Sequence, residues 1–230
     1  MVTIKTYGQP SAANQKICGV PTIHYLDFMS RGPGQVVRLM MEDAGIAYTD
    51  VRYNFDEYPK YKTTKIAEMN PTATIPVVEL NGKILTQSYA ILRHWARQLG
   101  AYEGETEDEK YRADVICDIT IDWRTLFVQA FLSPNKDVAY PEHQAETRKD
   151  FLKALNTHLS SNELSQQGPY VIGQKVTYAD LGLYQILNDE QLTQNERKDL
   201  QGYPKLIKLV DAVEARPNVK AFLNSERYLG

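Results

Sequence analysis

Residues 22–45 have the sequence TIHYLDFMSRGPGQVVRLMMEDAG, and this stretch decides the fold. Its first part, TIHYLDF, alternates and is rich in β-branched and aromatic residues, which is typical of a β-strand. Pro33 suits a first helical turn, an apolar stripe follows it, and Gly45 suits the position after a helix end. The stretch therefore predicts a strand and then a helix, with Tyr25 near the corner between them, where α/β domains often carry functional groups.

The rest of the first half is also mixed α/β in pattern. IAYTDVRY, from Ile46, predicts a second strand. IPVVEL and KILT predict a hairpin across Asn81-Gly82, a dipeptide favoured in tight hairpin turns. SYAILRHWARQLG predicts a helix that ends at Gly100, and residues 54–74 are predicted to be irregular. The predicted order is β-α-β, an irregular stretch, then β-β-α.

From about residue 101 the patterns are helical throughout. Two capping boxes, in which a threonine is followed three residues later by a carboxylate, predict helix starts at Thr106–Glu109 and Thr177–Asp180. The first predicted helix runs through Leu132. A further single helix is predicted over residues 141–167, because proline suits a helix start.

These patterns divide the chain into four parts. Residues 1–20 are expected to be a loose polar extension, since they hold no apolar segment of the kind found in secretory signals. Residues 21–100 form the predicted α/β domain, residues 101–106 the linker, and residues 107–230 the all-helical domain.

Composition limits the classes of function. The chain has 230 residues, a net charge of −3 and a pI near 5.9, which argues against a nucleic-acid partner. No apolar stretch approaches the roughly 20 residues of a membrane span, so no membrane partner is expected. The two cysteines, Cys18 and Cys117, and the four histidines show no metal-ligand spacing. We expect a cytoplasmic protein with reduced cysteines and no metal.

Two short motifs are candidates for binding. Ile75-Pro76 precedes a predicted strand, and the sequence leaves open whether this bond is trans, as most X-Pro bonds are, or cis. Gln87-Ser88 begins a predicted helix. The serine suits a plain helix cap, and the same free N–H groups suit a carboxylate ligand.

In their order, these motifs resemble those of the cytosolic glutathione transferases, closest to the tyrosine-type sigma, pi and mu classes. The resemblance covers nearly all of residues 22–228. It rests on the strand tyrosine followed by Arg-Gly and a helix, and on TIPVV, QSYAILRH, GETEDEKYRAD, YVIGQKVTYADL and RPNVKAFL. Each motif is weak by itself, but their order and spacing together are specific.

The resemblance implies a fold and a set of partners. The fold is α/β plus all-α: a thioredoxin-like N-terminal domain with a mixed four-stranded sheet, followed by an all-helical domain, with Pro76 in the cis form. Glutathione is the implied co-substrate and no metal is implied. The implied protein is a cytoplasmic, detoxifying homodimer that joins glutathione to a small hydrophobic electrophile.

The resemblance also implies roles for individual residues. Tyr25 matches the catalytic tyrosine and Arg31 the arginine near it. The implied glutathione contacts are Tyr58, Lys62, Ile75 with Pro76, Gln87, Ser88 and, from the partner subunit, Asp114. Ile75 would pair with the cysteinyl unit, Gln87 and Ser88 would bind the γ-glutamyl carboxylate, and Lys62 the glycine carboxylate.

Three further expectations stay open in the sequence. The segment between Tyr25 and Arg31 is two residues longer than in the mu class, so Ser30 rivals Tyr25 as the group that activates the thiol. Tyr111, Trp123 and Phe127 are candidates for the second-substrate pocket, but their helical spacing suits core positions at least as well. The alternatives to a transferase are a glutathione-dependent isomerase, as known in the sigma class, and a non-catalytic binding or structural protein such as the lens crystallins.

Overall fold

A computed structural model describes residues 2–229. The chain separates into two compact units, one made of the described residues of Met1–Ala101 and Glu214–Gly230, the other of Tyr102–Val213. The sequence placed 107–230 in one helical domain, whereas the structure groups the C-terminal segment with the α/β unit.

The strands and helices follow in chain order. They are β1 (Val2–Tyr7), α1 (Ala12–Lys16), β2 (Thr22–Leu26), α2 (Gly32–Ala44), β3 (Tyr48–Tyr53), α3 (Tyr58–Tyr61), a π-helical turn (Lys62–Ile66), α4 (Ala67–Met69), β4 (Val77–Leu80), β5 (Lys83–Thr86), α5 (Ser88–Leu99), α6 (Glu107–Phe131), α7 (Lys136–Ala145), α8 (Thr147–Ser161), α9 (Glu163–Gln166), α10 (Tyr178–Asp189), a 3₁₀ segment (Asn195–Leu200), α11 (Pro204–Glu214) and α12 (Pro217–Leu223).

The α/β unit is built on a mixed sheet of five strands in the order β1-β3-β2-β4-β5. The sheet therefore has one strand more than the four expected from the sequence, because Val2–Tyr7 in the N-terminal extension forms a strand. Strand β1 pairs antiparallel with β3 from Val2↔Tyr53 to Tyr7↔Tyr48. Helix α1 follows it with a capping box at Ser11. The extension is short and polar, which hid both elements from a search for apolar patterns.

Several local predictions in this unit are confirmed. Helix α2 ends at Gly45, which has a left-handed backbone (φ 66°). The β4–β5 hairpin turns at Asn81 (φ 49°) and Gly82 (φ 74°). Positive φ at both central residues is what a type I′ turn requires, and this is why the Asn-Gly pair predicts the hairpin.

In the helical unit the long helix and both capping boxes are confirmed. Thr106 accepts from the Glu109 N–H at the start of α6. At α10, the buried Asp180 carboxylate accepts from the Thr177 N–H (2.7 Å) and from the Val171 N–H (2.8 Å). The second box therefore also fastens the preceding loop to the helix.

One helical prediction is wrong. Instead of one helix over residues 141–167 there are three helices, and Pro141 lies inside α7 rather than at a helix start. The backbone breaks at Glu146 (φ −120°, ψ −77°), between α7 and α8. Proline marked the right region, but its missing N–H does not specify where in a short helix it will lie.

The C-terminal segment is fastened to α2 within the α/β unit. Arg216 donates to the Asp43 carboxylate (2.8 Å), near the end of α2. Arg227 pairs with Glu42 and lies over the ring of Tyr7. Residues 214–229 are thus part of the packing of α2, which explains their grouping with this unit.

Candidate functional site

The register of the sheet brings three predicted features together at one end of its strands. Strand β2 pairs with β4 at His24↔Val77, and β4 pairs with β5 at Val77↔Thr86. One residue further along the three strands are Tyr25, Pro76 and Gln87. The strand tyrosine, the proline bond and the start of α5 are therefore neighbours at one end of the sheet.

The proline bond has the geometry implied by the resemblance. Ile75-Pro76 is cis, which confirms that prediction. Pro76 is buried, whereas Ile75 is half-buried and packs on the cluster formed by Val51, Tyr53, Ile66 and Val77. The backbone of Ile75 thus lies directly before the paired part of β4.

The start of α5 is an uncapped helix N-terminus. Gln87 is exposed, occupies the cap position with φ 66°, and makes no side-chain bond to the first turn. Ser88 is the first helical residue rather than the cap, and its side chain is buried. Because the first turn holds no acidic residue, the helix dipole and its N–H groups suit an external carboxylate.

Tyr25 lies under the first turn of α2. A Cβ added at Gly34 would lie less than 3.0 Å from the ring, and one at Gly32 less than 3.0 Å from the hydroxyl oxygen. The side chain is only 6% exposed, and the Arg38 guanidinium lies 5.5 Å from the ring centroid. The phenol oxygen is therefore at the positive end of the α2 dipole.

The two residues expected near Tyr25 have different surroundings. Arg31 is the cap residue of α2, with an extended backbone and a half-buried side chain. Ser30 is fully buried, and its hydroxyl oxygen accepts from the Leu229 N–H (2.9 Å). The rival of Tyr25 is thus covered by the C-terminal segment.

The irregular stretch is mostly helical. Tyr58 opens α3, and burial raises the pKa of its phenol. Its ring centroid is 6.4 Å from that of Tyr53 on β3. Lys62 is exposed at the start of the π-helical turn. Such turns are frequent at functional sites, and here one presents a lysine to solvent.

A network centred on the buried His24 lies beside the site and was missed by the sequence analysis. His24 is fully buried, with Nδ1 2.8 Å from the Tyr53 hydroxyl and Nε2 2.6 Å from the Glu79 carboxylate. Burial lowers the pKa of His24. The alternation of TIHYLDF places His24 and Tyr25 on opposite faces of β2, which could have drawn attention to it. The network links three strands to the segment that contains Tyr58.

The predicted residues of the helical unit have separate roles in its packing. Asp114 is half-buried and accepts from the Tyr178 hydroxyl (2.8 Å). Trp123 is fully buried and donates Nε1–H to the Glu190 carboxylate (2.9 Å). Trp123 thus occupies a core position of α6.

The other two aromatic candidates on α6 differ sharply in exposure. Phe127 is 7% exposed and packs on Phe131 and Tyr140. Tyr111 is 70% exposed and is the one most accessible to a second substrate.

Residues 2–229 contain neither a metal-binding cluster nor a membrane-spanning helix. No group of three or more His, Cys, Asp or Glu side chains there is arranged to hold a metal ion. None of the helices in that range is long and apolar enough to span a membrane. Cys18 is exposed, Cys117 is buried, and the two do not form a disulfide with each other.

Comparison with known sequences identifies the family. Residues 21–97 match the glutathione S-transferase N-terminal domain, and residues 121–226 match its C-terminal domain. The chain belongs to the glutathione S-transferase family. The thioredoxin-like fold followed by a helical domain is thereby confirmed, as is the prediction of a glutathione transferase at the level of the family.

Individual relatives carry two kinds of name. Hematopoietic prostaglandin D synthase of Gallus gallus is 31% identical over 207 residues, covering 89% of this chain and 96% of the relative. Glutathione S-transferase Mu 2 of Mus musculus is 29% identical over 213 residues, covering 90% and 92%. The solved structure of rat hematopoietic prostaglandin D synthase in complex with a quinoline gives a TM-score of 0.72 at 29% identity, covering 88% and 95%.

The packing of Tyr25 under α2 gives a first prediction. We expect Gly34→Ala to lower the free energy of unfolding by about 1–3 kcal/mol, because the added methyl overlaps the buried ring. It should also weaken glutathione binding by displacing Tyr25. Urea unfolding and binding titrations measure both effects. Gly202→Ala is the matched control, since no atom lies within 4 Å of its Cβ. Unchanged stability and binding in Gly34→Ala would contradict this packing.

The His24 network gives a prediction on pH. Because the pKa of His24 is lowered on folding, the unfolded chain binds the additional proton as pH falls below about 6.5, and stability is lost there. His24→Gln should reduce this loss by at most about 1.4 kcal/mol per pH unit. Urea unfolding between pH 5 and 7.5 measures the slope. His94→Gln, on the exposed face of α5, should retain the native slope. Equal slopes in the native chain and His24→Gln would refute the prediction.

Proposed function

We propose that this chain binds glutathione at the end of the sheet where β2 ends and where β4 and α5 begin. It uses the glutathione thiolate as a nucleophile. The observation that carries the proposal is the register of the sheet, in which Tyr25, the cis Pro76 and Gln87 follow one another across three strands. Membership of the family makes glutathione the ligand to test first.

Each part of glutathione has a group of matching chemistry at this end of the sheet. The γ-glutamyl carboxylate suits the uncapped N-terminus of α5 at Gln87 and Ser88, where free N–H groups and the helix dipole favour an anion. The cysteinyl unit suits the backbone of Ile75, which lies directly before the cis Pro76 and the start of β4. The glycine carboxylate suits Lys62, with Tyr58 beside it.

Activation of the thiol is assigned to Tyr25. A free thiol has a pKa near 8.5, and lowering it by about two units requires roughly 2.7 kcal/mol. One hydrogen bond to a charged group supplies about 1.5–3 kcal/mol, so a phenol O–H donated to the sulfur accounts for most of the shift. The thiol proton leaves to solvent, and the thiolate forms a C–S bond to the electrophile as its leaving group departs.

The electrophile and the assembly are further parts of the proposal. A small hydrophobic electrophile would meet the exposed ring of Tyr111, whereas Trp123 and Phe127 support the fold of the helical unit. Asp114 would reach the γ-glutamyl amine of the partner subunit in a homodimer. One solved relative, Na-GST-3 of Necator americanus at 27% identity, is described as monomeric, so the dimer needs its own test. A cytoplasmic location suits an enzyme that needs reduced glutathione.

A second function is favoured by a specific observation. The relative that is 31% identical over 96% of its own length is a prostaglandin D synthase. An isomerase would use the same thiolate and then release glutathione unchanged. The two functions therefore share a site and differ in the fate of the thiol.

The role of Tyr25 is tested by the ultraviolet absorbance of the thiolate of bound glutathione as a function of pH. We expect the native chain to titrate about two units below free glutathione, and Tyr25→Phe to restore a pKa near 8.5. Ser30→Ala should titrate as the native chain does, because the Ser30 hydroxyl is engaged by Leu229. A native-like titration in Tyr25→Phe with a shift in Ser30→Ala would transfer the role to Ser30.

Thiol consumption distinguishes the two functions. A transferase removes one free thiol per product, whereas an isomerase turns over its substrate with the free thiol constant. We expect stoichiometric loss with an activated aryl electrophile, measured by thiol titration beside product formation. Turnover of a prostaglandin substrate with no thiol loss, and no conjugation of the aryl electrophile, would favour the isomerase.

A further inference from the structure

Two arginines share one buried carboxylate next to the candidate site. Arg38 on α2 donates to Asp50 through Nε (3.0 Å) and Nη2 (2.8 Å), and Arg52 on β3 donates to it through Nε (2.8 Å). All three residues are buried: Arg38 is 1% exposed, Asp50 is 2% exposed and Arg52 is 9% exposed. Burying charged groups costs several kcal/mol each unless their geometry is good, so this arrangement calls for a reason beyond stability.

One end of this triad lies against the candidate catalytic residue. The Arg38 guanidinium is 5.5 Å from the ring centroid of Tyr25. Its Nη1 is buried without a hydrogen-bond partner among the described residues. The orientation of the Arg38 fork is therefore fixed mainly by its two bonds to Asp50.

The other end holds the loop that follows β2. Arg52 Nη1 donates to the Met29 carbonyl oxygen (3.1 Å) and lies 3.5 Å from the Asp27 carboxylate. Met29 has φ 49°, a left-handed backbone that costs a non-glycine residue about 1 kcal/mol or more. A loop in such a conformation persists only where its surroundings hold it, and Arg52 contacts it at the unfavourable residue.

We propose that Arg52 is a positioning residue for thiol activation, which holds the loop Asp27–Ser30 in place beside Tyr25 through its fork of donors. Arginine suits this role because its planar guanidinium reaches the Asp50 carboxylate and the Met29 carbonyl at the same time. Lysine would retain the charge but not this geometry. The inference rests on the proposed use of the glutathione thiolate, and it adds a residue that does not touch glutathione.

The test compares three variants. Arg52→Met removes the charge and the fork, and Arg52→Lys removes the fork alone. Arg216→Met is the matched control, because Arg216, like Arg52, forms an ion pair with a buried aspartate, in this case Asp43 near the C-terminal end of α2. Each variant is examined by urea unfolding and by the ultraviolet titration of bound glutathione. The pH profile of kcat/KM with an aryl electrophile gives a third measurement.

All three variants should lose stability, but only the two at Arg52 should change the pKa of the glutathione thiol. We expect both to raise the pKa of bound glutathione by about one unit, with a roughly tenfold loss of kcat/KM below that pKa. Arg216→Met should keep the native pKa and pH profile. If Arg52→Met does not fold, Arg52→Lys alone decides the outcome.

Three results would overturn the inference. An unchanged thiol pKa in a folded Arg52 variant would show that the loop is held without it. An equal shift in Arg216→Met would reduce the effect to a general loss of stability. A native thiol pKa in Arg52→Lys, together with a raised pKa in Arg52→Met, would assign the effect to the charge of Arg52 rather than to its geometry. If the native chain does not bind glutathione as a thiolate, the proposed function fails first, before any substitution is made, and this inference fails with it.

Discussion

The close contact between Tyr25 and the first turn of α2 is the constraint on which the α/β unit depends. It exists because Gly32 and Gly34 have no side chains, so the ring can lie directly under the helix backbone. The contact fixes the distance between the central strand and its helix. It also places the Tyr25 phenol at the N-terminus of α2. The same contact therefore packs the core and positions the group proposed to activate the thiol.

Polar side chains that are wholly or partly buried form two separate groups around this contact. The Arg38–Asp50–Arg52 triad lies on the side of α2, whereas His24 and Glu79 lie on the side of the segment that begins with α3. The His24 group joins β2, β3 and β4 by hydrogen bonds, whereas the triad joins helix α2 to β3, and both fix relative positions that apolar packing alone does not specify. The sheet thus presents the end of β2 in a rigid setting.

The sequence predicted the elements with strong local signals, namely the strand with Tyr25, the Asn81-Gly82 hairpin and the helix caps. These depend on near neighbours only. The resemblance supplied the cis Pro76, which local pattern left open. Strand β1 was missed because its partner β3 is more than 40 residues away and its composition is polar. The Asp50 triad was missed because nothing in YTDVRY, the sequence of β3, indicates that its aspartate and arginine are buried.

The added strand β1 changes which strand edge the sheet presents to other molecules. Residues matched to the family begin at 21, so β1 lies outside the shared domain and covers β3, which would otherwise end the sheet. The edge strand next to β3 is β1, and its Ile4 and Lys5 side chains are exposed. A lysine on an outer strand opposes pairing with a strand of another molecule. The extension therefore covers the hydrogen-bonding edge of β3 and leaves a strand that carries Lys5 on this side of the sheet.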